Sequence, residues 1–90
     1  MTEYAPQLLA VHYYITASCS TPTGTWSRRI GPSYDTEADA VAAFLGEAVP
    51  VNWPEDTPAR PINSRRTILW KRDRDDAGRV RRAAIAFNYL

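Results

Sequence analysis

An antiparallel sheet of about four strands with one helix across a face is the fold this sequence predicts. It is a two-layer α+β sandwich in the order β-β-α-loop-β-β. Three observations lead there. Residues 8–19 alternate at period two, residues 35–49 change to helical spacing, and residues 65–87 return to extended patterning around the turn former "DDAG".

The first strand is read from Leu8 to Cys19. Its odd positions, Leu9, Val11, Tyr13, Ile15, Ala17 and Cys19, form the buried face, and its even ones, Ala10, His12, Tyr14, Thr16 and Ser18, the outward face. "STPTG", Ser20 to Gly24, gathers turn formers into a loose loop. "TWSRRI" then resumes an extended pattern with Trp26, Arg28 and Ile30 on one side, which completes a hairpin.

In "GPSYDTEADAVAAFLGEAVP", Asp35 or Thr36 caps a helix whose first turn carries Glu37 and Asp39, the charge sign that the macrodipole favours there. Val41, Phe44, Leu45 and Ala48 fall at i, i+3, i+4 and i+7, an apolar stripe facing the sheet. Pro50 ends the helix by Val49, and Gly46 weakens its last turn by about 1 kcal/mol. Residues 50–63 hold four prolines, Pro50, Pro54, Pro58 and Pro61, and proline lacks the amide donor that a helix or inner strand requires. This stretch is a long connection, with Trp53 to pin it.

The last two strands surround Asp75 to Gly78, which suits a type I turn followed by a left-handed glycine. That register sets Asp75 opposite Arg79, Asp73 opposite Arg81, Lys71 opposite Ala83 and Leu69 opposite Ile85. The other face places Ile68, Trp70, Arg72 and Arg74 against Ala86, Ala84, Arg82 and Val80. One more loop residue would put Arg74 against Arg79 and Arg72 against Arg81, and like charges directly opposed are destabilising. Opposite charges therefore neutralise one side of the hairpin and leave Arg72, Arg74 and Arg82 on the other without a cross-strand carboxylate.

Residues 1–90 read as a single domain, with 50–63 as a connection inside it. A chain of this size buries about 60–65% of its unfolded surface, so its core must be compact. A content of 44% hydrophobic residues is enough for one core. Ten arginines against one lysine, with abundant alanine, suggest a GC-rich bacterial or phage genome. Cys19 is the only cysteine, so no disulfide forms within the chain and a cytoplasmic setting is expected, that of the host if the gene is a phage's. "LLAVHYYITASCS" superficially has the layout of an export signal, but no Lys or Arg precedes it and His12, Tyr13 and Tyr14 interrupt it. No segment approaches the roughly 20 apolar residues that span a bilayer, and no membrane association is expected.

Little catalytic chemistry is on offer. The single histidine, His12, and Cys19 differ in parity and so fall on opposite faces of one strand. One His and one Cys cannot supply a structural zinc site, and Glu55 and Asp56 read as solvated loop acids. Only Gly31 comes near a helix start, so no glycine-rich phosphate loop exists. No enzyme, metal or cofactor is expected.

Charge is concentrated instead. Residues 65–82 carry eight basic and three acidic side chains, and the rest of the chain three basic and seven acidic. The expectation is a small non-enzymatic protein that occupies the surface of a protein partner, as inhibitor or adaptor, through Trp53, Trp70, Arg72, Arg74 and Arg82. Aromatic and arginine side chains dominate interface energetics, and open sheet edges add a route to a homodimer. The alternative is a nucleic-acid-binding module using the same hairpin, with guanidinium groups on phosphates and the Trp70 indole against a base. Asp73, Asp75 and Asp76 at the tip weigh against that alternative.

Overall fold

The computed structural model describes residues 11–46 and 50–90. Four strands, β1 (His12–Thr21), β2 (Gly24–Tyr34), β3 (Asn63–Arg74) and β4 (Val80–Tyr89), form one antiparallel sheet in the order β2-β1-β3-β4. The helix α1 (Glu37–Leu45) lies between β2 and β3 in sequence, so the α+β architecture is the expected one.

The two hairpins lie side by side with β1 and β3 in the centre. Tyr13, Ile15, Ala40 and Leu69 make the core beneath α1, with Val11, Ile30, Tyr34, Val41, Ala43, Phe44 and Ala86 packed around it. Cys19 and Ala17, further along the same face of β1, are fully buried. The proline-rich connection continues the second layer there. Trp53 packs on Trp26, ring centroids 5.7 Å apart, and Ile62 is buried. The connection fastens itself by side chains: Asp56 accepts from the Ile62 amide at 3.3 Å and from Arg65 Nη2 at 3.0 Å, and Thr57 Oγ1 accepts from the Arg60 amide at 2.9 Å.

Local sequence explains the ends of the elements. Thr36 is the α1 cap, its Oγ1 accepting from the Asp39 amide at 3.2 Å, with Glu37 and Asp39 in the first turn. Around Pro22 and Thr23 the connection is tighter than the loose loop expected, since Thr21 already pairs with Gly24. Gly24 takes φ +134, open only to glycine at low cost, and Thr21 Oγ1 donates to its carbonyl at 2.8 Å. β2 runs on through Gly31 and Pro32 to Tyr34, which an edge strand tolerates because its outer side needs no amide donor.

Four readings of the sequence are corrected here. Tyr14, assigned to the outward face of β1, is only 6% exposed, because β1 is central and β2 and β3 bring side chains over it. Leu45 is 71% exposed, not part of the helix stripe; the packed positions are Ala40, Val41, Ala43 and Phe44, one step round the helix. α1 ends at Leu45 with Gly46 as its C-cap, where the sequence reading places Gly46 inside the helix. The β3–β4 register agrees with expectation from the tip to Trp70, which pairs with Ala84, and then slips: Leu69 pairs with Ala86 and Ile68 with Phe87. The expected positions Leu8 to Ala10 and Ala48 lie outside the described residues.

The sheet is staggered. β1 begins at His12 opposite Arg72, so among the described residues the hairpin from Asp73 to Arg81 is two-stranded. The radius of gyration is 16.0 Å and the molecule measures 61 × 27 × 17 Å. A compact chain of this length has a radius of about 12 Å.

Candidate functional site: an arginine-lined sheet face

Antiparallel partners share a face of the sheet, so the pairing register assigns every strand residue to a side. The side away from α1 holds Arg29 on β2, His12, Tyr14, Thr16 and Ser18 on β1, and Arg66, Ile68, Trp70 and Arg72 on β3. On β4 it holds Arg82, Ala84, Phe87 and Tyr89, and at the tip Arg74 beside Val80. Five arginines thus lie on one face, and no strand residue of that face among those described is acidic.

The acids are elsewhere. Asp73 and Asp75 lie on the opposite side of the hairpin and are engaged there, by Arg81 Nε at 3.1 Å and Arg79 Nε at 2.9 Å. The Asp75 carboxylate also accepts from the Ala77 and Arg79 amides, both at 2.9 Å. The Arg79 amide is the chief cause holding the Asp75 carboxyl below the ordinary aspartate range. The hydrogen bond from Arg81 to Asp73 correspondingly raises the guanidinium above its ordinary value. Gly78, at φ +81, closes the expected turn, its amide donating to the Asp75 carbonyl at 2.9 Å.

A row crosses all four strands on the arginine side. The Arg29 guanidinium sits 4.3 Å from the Tyr14 ring centroid, and Tyr14 stacks at 16° on Trp70 with centroids 6.4 Å apart. Arg82 lies 5.4 Å from the Trp70 ring. Trp70 is fixed in turn by its Nε1, which donates to Thr16 Oγ1 at 2.9 Å across the β1–β3 pair. Such cation–π contacts position a guanidinium by its ring without using its N–H groups, although Arg29 Nη2 also donates to Ser33 Oγ. Beyond Ile68, Phe87 and Tyr89 are stacked on each other at 7° with 6.2 Å between centroids, and are 54% and 71% exposed.

Of the residues singled out in the sequence, Trp70, Arg72, Arg74 and Arg82 are brought together on this face. Among the described residues none of the three arginines has a carboxylate within ion-pair distance; Arg74 Nη1 donates to the Gly78 carbonyl at 2.8 Å. Trp53 is not with them. It lies in the helix layer against Trp26, with the Arg65 guanidinium 5.9 Å from its ring. Arg29, Arg66, Tyr14, Phe87 and Tyr89 join the face without having been singled out for it. The parity of Arg29 relative to the first hairpin was a usable signal, whereas Phe87 and Tyr89 reach this side only through the slip at Ile85.

Comparison with protein-family models, curated proteins and solved structures finds no match. The face must therefore be interpreted on its chemistry. His12 and Cys19 fall on opposite faces, and the Cys19 thiol is buried and unpaired with another cysteine. Among the described residues no three His, Cys, Asp or Glu side chains are grouped to hold a metal ion, and no helix is long and apolar enough to cross a membrane.

Proposed function

We propose that the arginine-lined face binds single-stranded nucleic acid, as a non-enzymatic cytoplasmic module. The observation that carries this reading is the sorting of charge: Arg29, Arg66, Arg72, Arg74 and Arg82 share a face from which acidic strand residues are missing. Of the three tip acids that weigh against phosphate binding in the sequence, Asp73 and Asp75 are turned to the other side and occupied by Arg81 and Arg79, while Asp76 is exposed in the turn. Guanidinium groups would follow the phosphate backbone, and the exposed Phe87 and Tyr89 rings would take bases on their faces, a sequence-tolerant contact of about 1–3 kcal/mol per base. A single strand fits this arrangement better than a duplex, whose bases are not free to stack on the two rings.

Fluorescence anisotropy with labelled oligothymidine and oligouridine tests it at low salt. Binding is expected, loss of binding on Arg72→Glu, Arg74→Glu and Arg82→Glu together, and weaker binding on Tyr89→Ala. Absence of any complex at low salt refutes it, and so does equal competition by blunt duplex.

A second reading, occupation of a protein partner's surface as inhibitor or adaptor, is favoured by the exposure of Phe87 and Tyr89 beside the arginines, since aromatics and arginine are typical anchors of protein interfaces. Nuclease treatment separates the two. A complex captured from host extract survives it under this second reading and is lost under the first.

A further inference from the structure

We propose that two copies of this chain join edge to edge through β4, antiparallel, into one continuous eight-stranded sheet. β4 is the outermost strand on its side, ten residues long, with one row of its backbone amides and carbonyls turned away from β3. Exposed strand edges are normally blunted by proline, bulges or charge. Both edge strands carry two arginines and an irregular pairing, Arg28 and Arg29 with the break around Tyr14 in β2, Arg81 and Arg82 with the break at Ile85 in β4, but β2 is blunted further by Pro32. β4 contains no proline, glycine or acid. Of the large hydrophobic side chains exposed among the described residues, Val80, Ile85, Phe87, Tyr89 and Leu90 all belong to β4 or follow it directly, and only Leu45 lies elsewhere.

The sequence of β4 argues for a second copy as the occupant. Its first half is basic, with Arg81 and Arg82, and its second half aromatic, with Phe87 and Tyr89. A parallel partner of the same sequence would set arginine beside arginine. An antiparallel one sets the basic half of each copy beside the aromatic half of the other. Pairing about the irregularity at Ile85 keeps side chains on matching faces: Arg82 meets Phe87 of the second copy, Val80 meets Tyr89 of the second copy, and Ile85 meets Ala84 of the second copy, so that the two Ile85 residues flank the two-fold axis. Arginine over an aromatic ring is the same contact that Arg82 and Trp70 already make within one chain. The two arginine-lined faces then lie on the same side of the joint sheet.

Sedimentation velocity on nucleic-acid-free protein, from micromolar to sub-millimolar concentration, tests the proposal without reference to any ligand of the face. The expected result is a monomer–dimer equilibrium. Ile85→Glu and Ile85→Lys should each sediment as a monomer, and an equimolar mixture of the two should recover the dimer, because an isologous contact about this axis brings position 85 of each copy next to position 85 of the other. Ile85 is 40% exposed, so both variants are expected to fold, which circular dichroism checks. Independently of them, Ile85→Cys should form a covalent dimer with oxidised glutathione, whereas Ala77→Cys at the tip should not. A wild-type monomer throughout the range, a dimer that persists in Ile85→Glu, or equal crosslinking at positions 77 and 85 would overturn the assignment.

Discussion

Simultaneous replacement of Arg72, Arg74 and Arg82 by alanine should change how steeply nucleic-acid affinity depends on salt. Five guanidinium groups lie on the face, and if each neutralises one phosphate of a single strand, the logarithm of affinity falls with the logarithm of salt at a slope of about −3.5. Raising monovalent salt from about 50 to 200 mM then lowers affinity by roughly 130-fold. With only Arg29 and Arg66 left, the slope falls to about −1.4, and the same change in salt costs roughly sevenfold. Anisotropy titrations of a labelled oligonucleotide at four or more salt concentrations give both slopes. A triple variant that binds more weakly with an unchanged slope would refute the reasoning, because the three side chains would then act through folding and not through phosphates. An unchanged affinity at low salt would refute it as well.

Three further predictions concern stability and pH. Leu69→Ala empties a fully buried position against Ile15 and should cost about 3 kcal/mol, seen in urea denaturation or as a fall in melting temperature of about 12–24 °C. Gly78→Ala should cost about 1 kcal/mol through backbone conformation alone, since a methyl group there meets nothing within 4 Å while φ is +81; a neutral substitution would show that the turn relaxes freely. The Asp75 carboxyl is held below the ordinary aspartate range, first by the Arg79 amide, so its contribution to the tip is complete above that range and is lost as pH falls through the lowered value. An NMR titration following the Ala77 and Arg79 amides should show a midpoint below that of free aspartate, with the transition missing in Asp75→Asn.

Much of this fold is written locally. The Thr36 cap needs only its neighbours, and the tip turn is specified by Asp75 and Gly78. Alternation in β1 identifies Tyr13, Ile15, Ala17 and Cys19 as buried. The rest depends on contacts that no short window contains. Tyr14 is buried because the two hairpins meet along β1 and β3, which brings Arg29 over its ring from β2 and Trp70 beside it from β3. The slip at Ile85 lies within "AAIAF", where both parities are apolar and neither register is favoured by burial. It decides which side Phe87 and Tyr89 occupy. Three of the five arginines of the face were legible as a group because their cross-strand partners carry no carboxylate; Arg66 shares β3 and its parity with Arg72 and Arg74, whereas Arg29 joins them only where the two hairpins meet.

The division of charge between the two sides also governs how the molecule approaches anything electrified. A formal charge of +1 suggests indifference to polyanions, yet one broad surface is lined by five arginines while Asp73 and Asp75 lie behind it. Local fields of this kind rotate a protein before it makes contact. A plate 17 Å thick, lined by arginines on one broad side, should therefore land flat on a negatively charged resin, with its strands parallel to the surface, and elute later than its isoelectric point implies.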